Sequence, residues 1–223
     1  MISLKIKIAS LINRVKVFGK PKIFCIGFNK TGTTSLKVLF AKLGFVVGEQ
    51  REAESLLSEI QMGNYEGLLR HIKKAQFFQD YPFSTPNTYK VLDEKYPNAK
   101  FILSVRDSPE AWYNSLVKFH SLKFNNGNFP TVKSLKEGDY IYKGWIWEFL
   151  SQVYGFEEDK DLYNKAFLIN LYLNHIDEVK EYFKGREDKL IVINLQDEGG
   201  VENLFQFLNI KASISEFPWV NKS

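Results

Sequence analysis

The stretch Lys22-Ile23-Phe24-Cys25-Ile26-Gly27-Phe28-Asn29-Lys30-Thr31-Gly32-Thr33-Thr34-Ser35-Leu36 decides how the chain is read. Ile23 to Ile26 is a short apolar run of the kind that forms a buried parallel strand. Gly27 and Gly32 then bracket four residues, and Thr33, Thr34 and Ser35 open a helical pattern that runs to Leu43 and stops at Gly44. Strand, glycine-bracketed loop and helix together make a cradle for an anion. Backbone N–H groups at the helix start have no intrahelical acceptor, and the helix dipole adds roughly half a positive charge there. The hydroxyls of Thr33, Thr34 and Ser35 add donors. The loop departs from the nucleoside-triphosphate pattern G-x-x-x-x-G-K-[ST]. Thr33 stands where that pattern has its lysine, and the lysine, Lys30, lies inside the loop. The magnesium-holding hydroxyl thereby loses its usual neighbour, which argues against ATP chemistry.

A chain of 223 residues makes one large domain, or a domain with insertions, and can bury a core without disulfides. Hydrophobic residues at 44% and charged residues at 25% fit a soluble globular protein. The net charge of +4 suits an anionic ligand and is too small to indicate nucleic acid. One cysteine, Cys25, excludes an internal disulfide and sits in the first strand candidate, so a buried, inert thiol and a reducing, cytoplasmic compartment are expected. No apolar run approaches the ~18 residues that span a bilayer. Residues 1–20 form a separate basic segment. Leu4, Ile8, Leu11, Ile12, Val15 and Phe18 share a helical face, with Lys5, Lys7, Arg14 and Lys16 on or near the other. Lysines interrupt the apolar face and no small-residue cleavage site follows, which excludes a signal peptide. The segment reads as an amphipathic helix, packed on the domain or, through residues 1–18, lying on a membrane surface or partner.

Residues 52–74 look helical, interrupted at Gly63-Asn64, with His71 beside Lys73 and Lys74 on a solvated face. Ala75 to Gln79 is a second strand, ending at Asp80-Tyr81-Pro82, where Pro82 enforces a turn. Ser84 can cap a helix reaching Tyr96. Lys100 to Val105 is a third strand, ending at Arg106-Asp107. Ser108-Pro109-Glu110 then starts a helix with a cap, a first-position proline and a first-turn acid. Residues 123–139 are the most loop-like stretch and a candidate lid. An aromatic helical region follows over about 140–183, divided near Gly155, with His175 read as a packed histidine. Lys189 to Leu195 is a fourth strand and Val201 to Leu208 a closing helix. Strands alternating with helices predict an α/β fold of three layers, α/β/α, with a mainly parallel central sheet. Gly27, Asp80 and Arg106 each stand just past the C-terminal end of a different strand, the edge where such sheets bind ligands.

These stretches resemble the sulfotransferases that use PAPS (3′-phosphoadenosine 5′-phosphosulfate), a P-loop NTPase-like fold, in their bacterial-type subgroup. G-F-N-K-T-G-T-T-S-L looks like their 5′-phosphosulfate loop, which implies Asn29, Lys30, Thr31, Gly32, Thr33, Thr34 and Ser35 as donor-binding residues. S-V-R-D-S-P-E-A-W-Y-N-S looks like their 3′-phosphate motif, which implies Arg106 and Ser115; Asn114 stands at the usual offset of the serine. F-Q-D-Y-P resembles the segment carrying the catalytic base, which places Asp80 in that role. The C-terminal stretches L-I-V-I-N-L, V-E-N-L-F-Q-F-L and F-P-W-V-N-K match as well, so the resemblance covers about residues 20–222. It implies one domain over 21–223 that moves a sulfuryl group from PAPS to a hydroxyl of a small acceptor (a sugar, glycolipid or phenol), releasing PAP without a metal or nucleic acid. Lys30 would neutralise the leaving oxygen and Asp80 would take the acceptor's proton. A small-molecule or nucleoside kinase using ATP and magnesium, or a binding protein without turnover, would use the same cradle. Oligomeric state has no sequence signal.

Overall fold

The computed structural model describes residues 11–218 and Val220. The expectations for Leu4, Lys5, Lys7, Ile8, Trp219, Asn221 and Lys222 lie outside the described residues. Two compact units form, one from the chain up to Val105 and from Tyr182 onward, the other from Arg106 to Glu181. The first unit holds β1 (Ile23–Cys25), α2 (Thr33–Lys42), α3 (Gln50–Glu54), α4 (Leu57–Gln61), α5 (Glu66–Ile72), β2 (Phe77–Gln79), α6 (Pro86–Lys95), β3 (Lys100–Val105), β4 (Leu190–Asn194) and α11 (Gly200–Leu208). A helical stretch over residues 11–16, α1, precedes them.

The four strands pair in parallel in the order β2-β1-β3-β4, with Phe24 opposite Phe78 and Phe101. Alternation along the strands gives the sheet two apolar faces. Ile23, Cys25, Phe77, Ile102 and Ile193 pack against Leu36, Leu39 and Phe40 of α2 and Val201, Leu204 and Phe205 of α11. On the opposite face Phe24 stacks on Phe78 and Phe83, and Phe101 meets Phe183, which also touches Tyr89 of α6. The predicted α/β fold is therefore present, with an all-parallel sheet covered by helices on both faces. Because the sheet is parallel, β1, β2 and β3 end at one edge. The chain leaves them at the Gly27–Gly32 loop, at Asp80 and at Arg106.

Several local readings change. Residues 50–72 make three short helices rather than two. His71 is 2% exposed, not solvated, because it follows Leu68 by three residues and lies on the inward face of α5. The helix after Pro82 is preceded by Thr85, not Ser84, with Pro86 at its first position. One of the two readings of the N-terminal helix has it pack on the domain through its apolar face. Instead Leu11, Ile12, Val15 and Phe18 are exposed, and only Val17 is buried.

The second unit holds α7 (Pro109–Phe124), α8 (Val132–Glu137), α9 (Trp145–Tyr154) and α10 (Lys165–Tyr182), whose last residue belongs to the first unit. The Ser108 hydroxyl caps α7 by accepting the Ala111 N–H at 3.1 Å. Within the stretch 123–139, read as loop, α7 continues to Phe124 and α8 forms. Thr131 and Ser134 close a reciprocal cap on α8, each hydroxyl accepting the other's N–H. Serine in place of the usual glutamate hid that cap from the sequence. Gly155, in the left-handed region, ends α9. Among the described residues no helix is long and apolar enough to cross a membrane.

Candidate active site

In the first unit the cradle is shaped by its glycines. A Cβ at Gly27 would lie 2.3 Å from the Ser104 backbone oxygen, so the chain leaving β1 passes β3 too closely for any side chain. Gly32 has φ +91, and a Cβ there would meet the Leu195 side chain at 2.6 Å. Between them Lys30 also adopts a left-handed conformation, φ 68, which costs a non-glycine residue about 1–2 kcal/mol. The turn ends on Gly32 as the N-cap of α2. No side chain caps this helix and no acid lies in its first turn. An anion is what such a helix end lacks.

The hydroxyls of the loop divide into two groups. Thr31 is 1% exposed, and its Oγ1 donates to the Phe28 carbonyl at 2.6 Å and lies 2.6 Å from Ser104 Oγ. Its side chain holds the loop to β3 and leaves only its backbone for a ligand. Ser35 is buried and accepts the Val220 N–H at 3.4 Å. Thr33 points the other way, its Oγ1 donating to Asp80 Oδ2 at 3.4 Å. Thr34 is exposed, and Asn29 and Lys30 are partly buried.

Asp80 follows β2 in a left-handed conformation, φ 65. Its Oδ1 accepts the N–H of Tyr81 at 2.9 Å. Burial pushes the Asp80 carboxyl up to about 6, against the opposing pull of the Tyr81 N–H, the Lys30 charge and the Thr33 hydroxyl. That value suits a base near neutral pH far better than an unperturbed aspartate. Gln50 of α3 grips both flanks of Asp80. Its Nε2 donates to the Tyr81 carbonyl at 2.8 Å, and its Oε1 accepts from Gln79 Nε2 at 3.3 Å. The same Nε2 lies 3.3 Å from Glu54 Oε1. Glu54 is 5% exposed, and burial, with the Asp80 charge nearby, pushes it up to about 8, opposed by Gln50, Arg51 and Lys37. Glu54 therefore keeps its proton while Asp80 ionises. The sequence did not mark Glu54 or Gln50, because a five-residue helix has too little periodicity to reveal its buried side.

Cys25 is fully buried, and burial raises its thiol to about 11, the inert state expected.

In the second unit Arg106 Nη2 donates to Ser115 Oγ at 3.2 Å. Ser115 is buried on α7, whereas Asn114 is exposed. The backbone N–H of Arg106 donates to the Tyr172 hydroxyl at 2.9 Å, and the Tyr172 ring stacks on Trp112 with centroids 4.7 Å apart. Two aromatic rings thus fix the backbone that carries the guanidinium. The two other histidines are internal to this unit. His120 is fully buried with Nδ1 2.8 Å from the Tyr163 hydroxyl, and His175 is 4% exposed.

Lys30, Thr33 and Asp80 are brought together in the first unit, and Arg106 and Ser115 in the second. The Thr31 hydroxyl is bonded within the loop and to β3, and the Ser35 hydroxyl, on α2, accepts the Val220 N–H. A cradle with a lysine and an aspartate at its mouth suits group transfer from an anionic donor to a hydroxyl. A model of the sulfotransferase domain matches residues 22–223, and the chain belongs to that family of transferases. No curated protein matches the chain.

Proposed function

We propose that the protein transfers the sulfuryl group of PAPS to a hydroxyl of a small acceptor and releases PAP. The observation that carries this reading is the meeting of Lys30, Thr33 and Asp80 at the uncapped start of α2. The N–H groups of Gly32 to Ser35 and the Lys30 ammonium suit a 5′-phosphosulfate. Arg106, oriented by Ser115, suits the 3′-phosphate that distinguishes PAPS from ordinary nucleotides.

In this reading the acceptor oxygen attacks sulfur in line. Its bond to sulfur forms as the bond from sulfur to the bridging phosphate oxygen breaks. The electron pair stays on that bridging oxygen, where Lys30 and the helix end offset the growing charge. The acceptor's proton passes to ionised Asp80. Thr33, bonded to Asp80 Oδ2, aligns the carboxylate with the cradle. Positioning and electrostatics supply the rate, and no metal takes part.

The test incubates the protein with labelled PAPS or labelled ATP, with and without magnesium, against a panel of sugar, glycolipid and phenol acceptors. Label should move from PAPS alone, equally with a chelator present. Transfer from ATP that needs magnesium would make the protein a kinase. Tight PAP binding with no transfer to any acceptor would make it a binding protein of the same fold.

A further inference from the structure

The N-terminal stretch of the first unit presents two features that the sulfuryl-transfer reading does not use. One is apolar. Leu11, Val15 and Phe18 recur at helical spacing and are 62%, 72% and 89% exposed, with Ile12 beside them at 48%. Isolated exposed hydrophobic residues are ordinary, but a contiguous stripe on one short segment marks a contact surface. The segment is held to its unit from the opposite side by Val17, 2% exposed, so the stripe faces outward in the folded protein.

The other feature is a groove of about 550 Å³ that begins at the end of this stripe. Arg14, Lys20, Lys22, Lys73 and Lys95 line it together with Phe18, and none of its described lining residues is acidic. Lys22 forms part of its wall. Its ammonium is largely buried, donates to the Ala75 carbonyl at 2.5 Å, and is pushed down to about 8 by burial alone. Lys22 is thus held in the wall, and the positive charge of the groove comes from Arg14, Lys20, Lys73 and Lys95, with no carboxylate among its described lining residues to offset it. An adjacent groove shares Arg14 and contains Glu52, which is already paired with Lys74.

An apolar stripe continuous with a cationic groove has the chemistry of one occupant, a bilayer with anionic headgroups. The stripe would enter the boundary between headgroups and acyl chains while the cations meet lipid phosphates and carboxylates. A soluble anion would use the groove and leave the stripe in water. A protein partner would have no need of uniform charge. We infer that residues 11–22, with Lys73 and Lys95, form a docking surface for an anionic membrane, and that the protein works as a peripheral enzyme at that surface.

The test is co-sedimentation of the full chain with vesicles of phosphatidylcholine alone and of phosphatidylcholine mixed with phosphatidylserine. The protein should pellet with the mixed vesicles, stay in solution with the neutral ones, and be released by raised salt. Each of Lys20→Glu, Lys73→Glu and Lys95→Glu should weaken binding by about fivefold or more, since one cation near such a surface is worth roughly that factor. Val15→Ser and Phe18→Ser should weaken it without changing its salt dependence. All five positions are exposed, so circular dichroism melting should match wild type. Absence of binding to mixed vesicles at low salt would overturn the proposal. So would binding that the lysine substitutions leave intact, or a solution dimer by light scattering that Phe18→Ser dissolves.

Discussion

The cradle after β1 and the Arg106 station at the head of α7 are built in opposite ways. The cradle presents backbone. Its glycines are dictated by close contacts with Ser104 and Leu195, the Thr31 hydroxyl is spent inside the loop, and Lys30 supplies the one cationic side chain between the glycines. The Arg106 station presents a single side chain. One guanidinium rests on Ser115, over a backbone pinned to Tyr172. A backbone device depends on its geometry, and in this one Lys30 is the one cationic side chain whose truncation would be felt. A side-chain device retains its geometry and loses its function with one substitution. Affinity for the 3′-phosphate should therefore be separable from chemistry at the 5′ end.

The largest effect should come from Asp80→Asn, which is nearly isosteric and retains the acceptor for the Tyr81 N–H. Turnover should fall by about 10²-fold or more, the usual scale for an acid–base group, with PAP affinity and melting temperature nearly unchanged. An Asp80→Asn protein that melts early yet retains its specific activity would show that this residue only holds the turn.

Arg106→Ala should come next, weakening PAP by about 2–3 kcal/mol in calorimetric titration. Adenosine 5′-phosphosulfate, which lacks the 3′-phosphate, should be affected far less. Equal losses for both ligands would erase the distinction between the two regions. Ser115→Ala should give a smaller loss of about 1 kcal/mol for PAP, because it removes a neutral partner that orients the guanidinium.

The subtlest effects concern Glu54 and pH. Turnover should rise through about 6 as Asp80 ionises and fall through about 8 as Glu54 loses its proton and adds a second negative charge beside it. Glu54→Gln, which mimics the protonated acid, should remove the upper limb and leave the lower one. Stability should follow the same protons. Both folded values lie above the ordinary carboxylate range, so the unfolded chain releases these protons first, and stability falls as pH rises from that range through about 8. Glu54→Gln should flatten that fall and raise the melting temperature at alkaline pH, at about 2–4 °C per kcal/mol for a chain of this size. An unchanged pH profile would remove Glu54 from the account.

The features legible in the sequence were those with local causes. β1, the glycine-bracketed turn and α2 were readable from fifteen consecutive residues, and β3 with the Ser108 cap from twelve more, because each element carries its own start and stop signals. Asp80 could be placed at the sheet edge because a strand and a proline bracket it. What stayed hidden depends on contacts distant in sequence. That the Thr31 hydroxyl is tied to Ser104, 73 residues later, cannot be read from the loop itself. Glu54 and Gln50 acquire meaning only when α3 packs beside the end of β2. His71 is the instructive miss, since its spacing from Leu68 marked the inward face and the neighbouring lysines drew the reading outward. The exposed stripe on α1 shows the converse: an apolar face predicts a contact without saying which surface supplies it.

The central claim is the proposal that the donor is a nucleotide with a 3′-phosphate. Its most direct test is the melting temperature of the wild-type chain with PAP and with ATP plus magnesium. PAP at about a hundred times its Kd should raise the melting temperature by roughly 5–10 °C, and ATP with magnesium at the same concentration should do much less. Equal shifts from the two, or a shift from magnesium-ATP alone, would contradict the account.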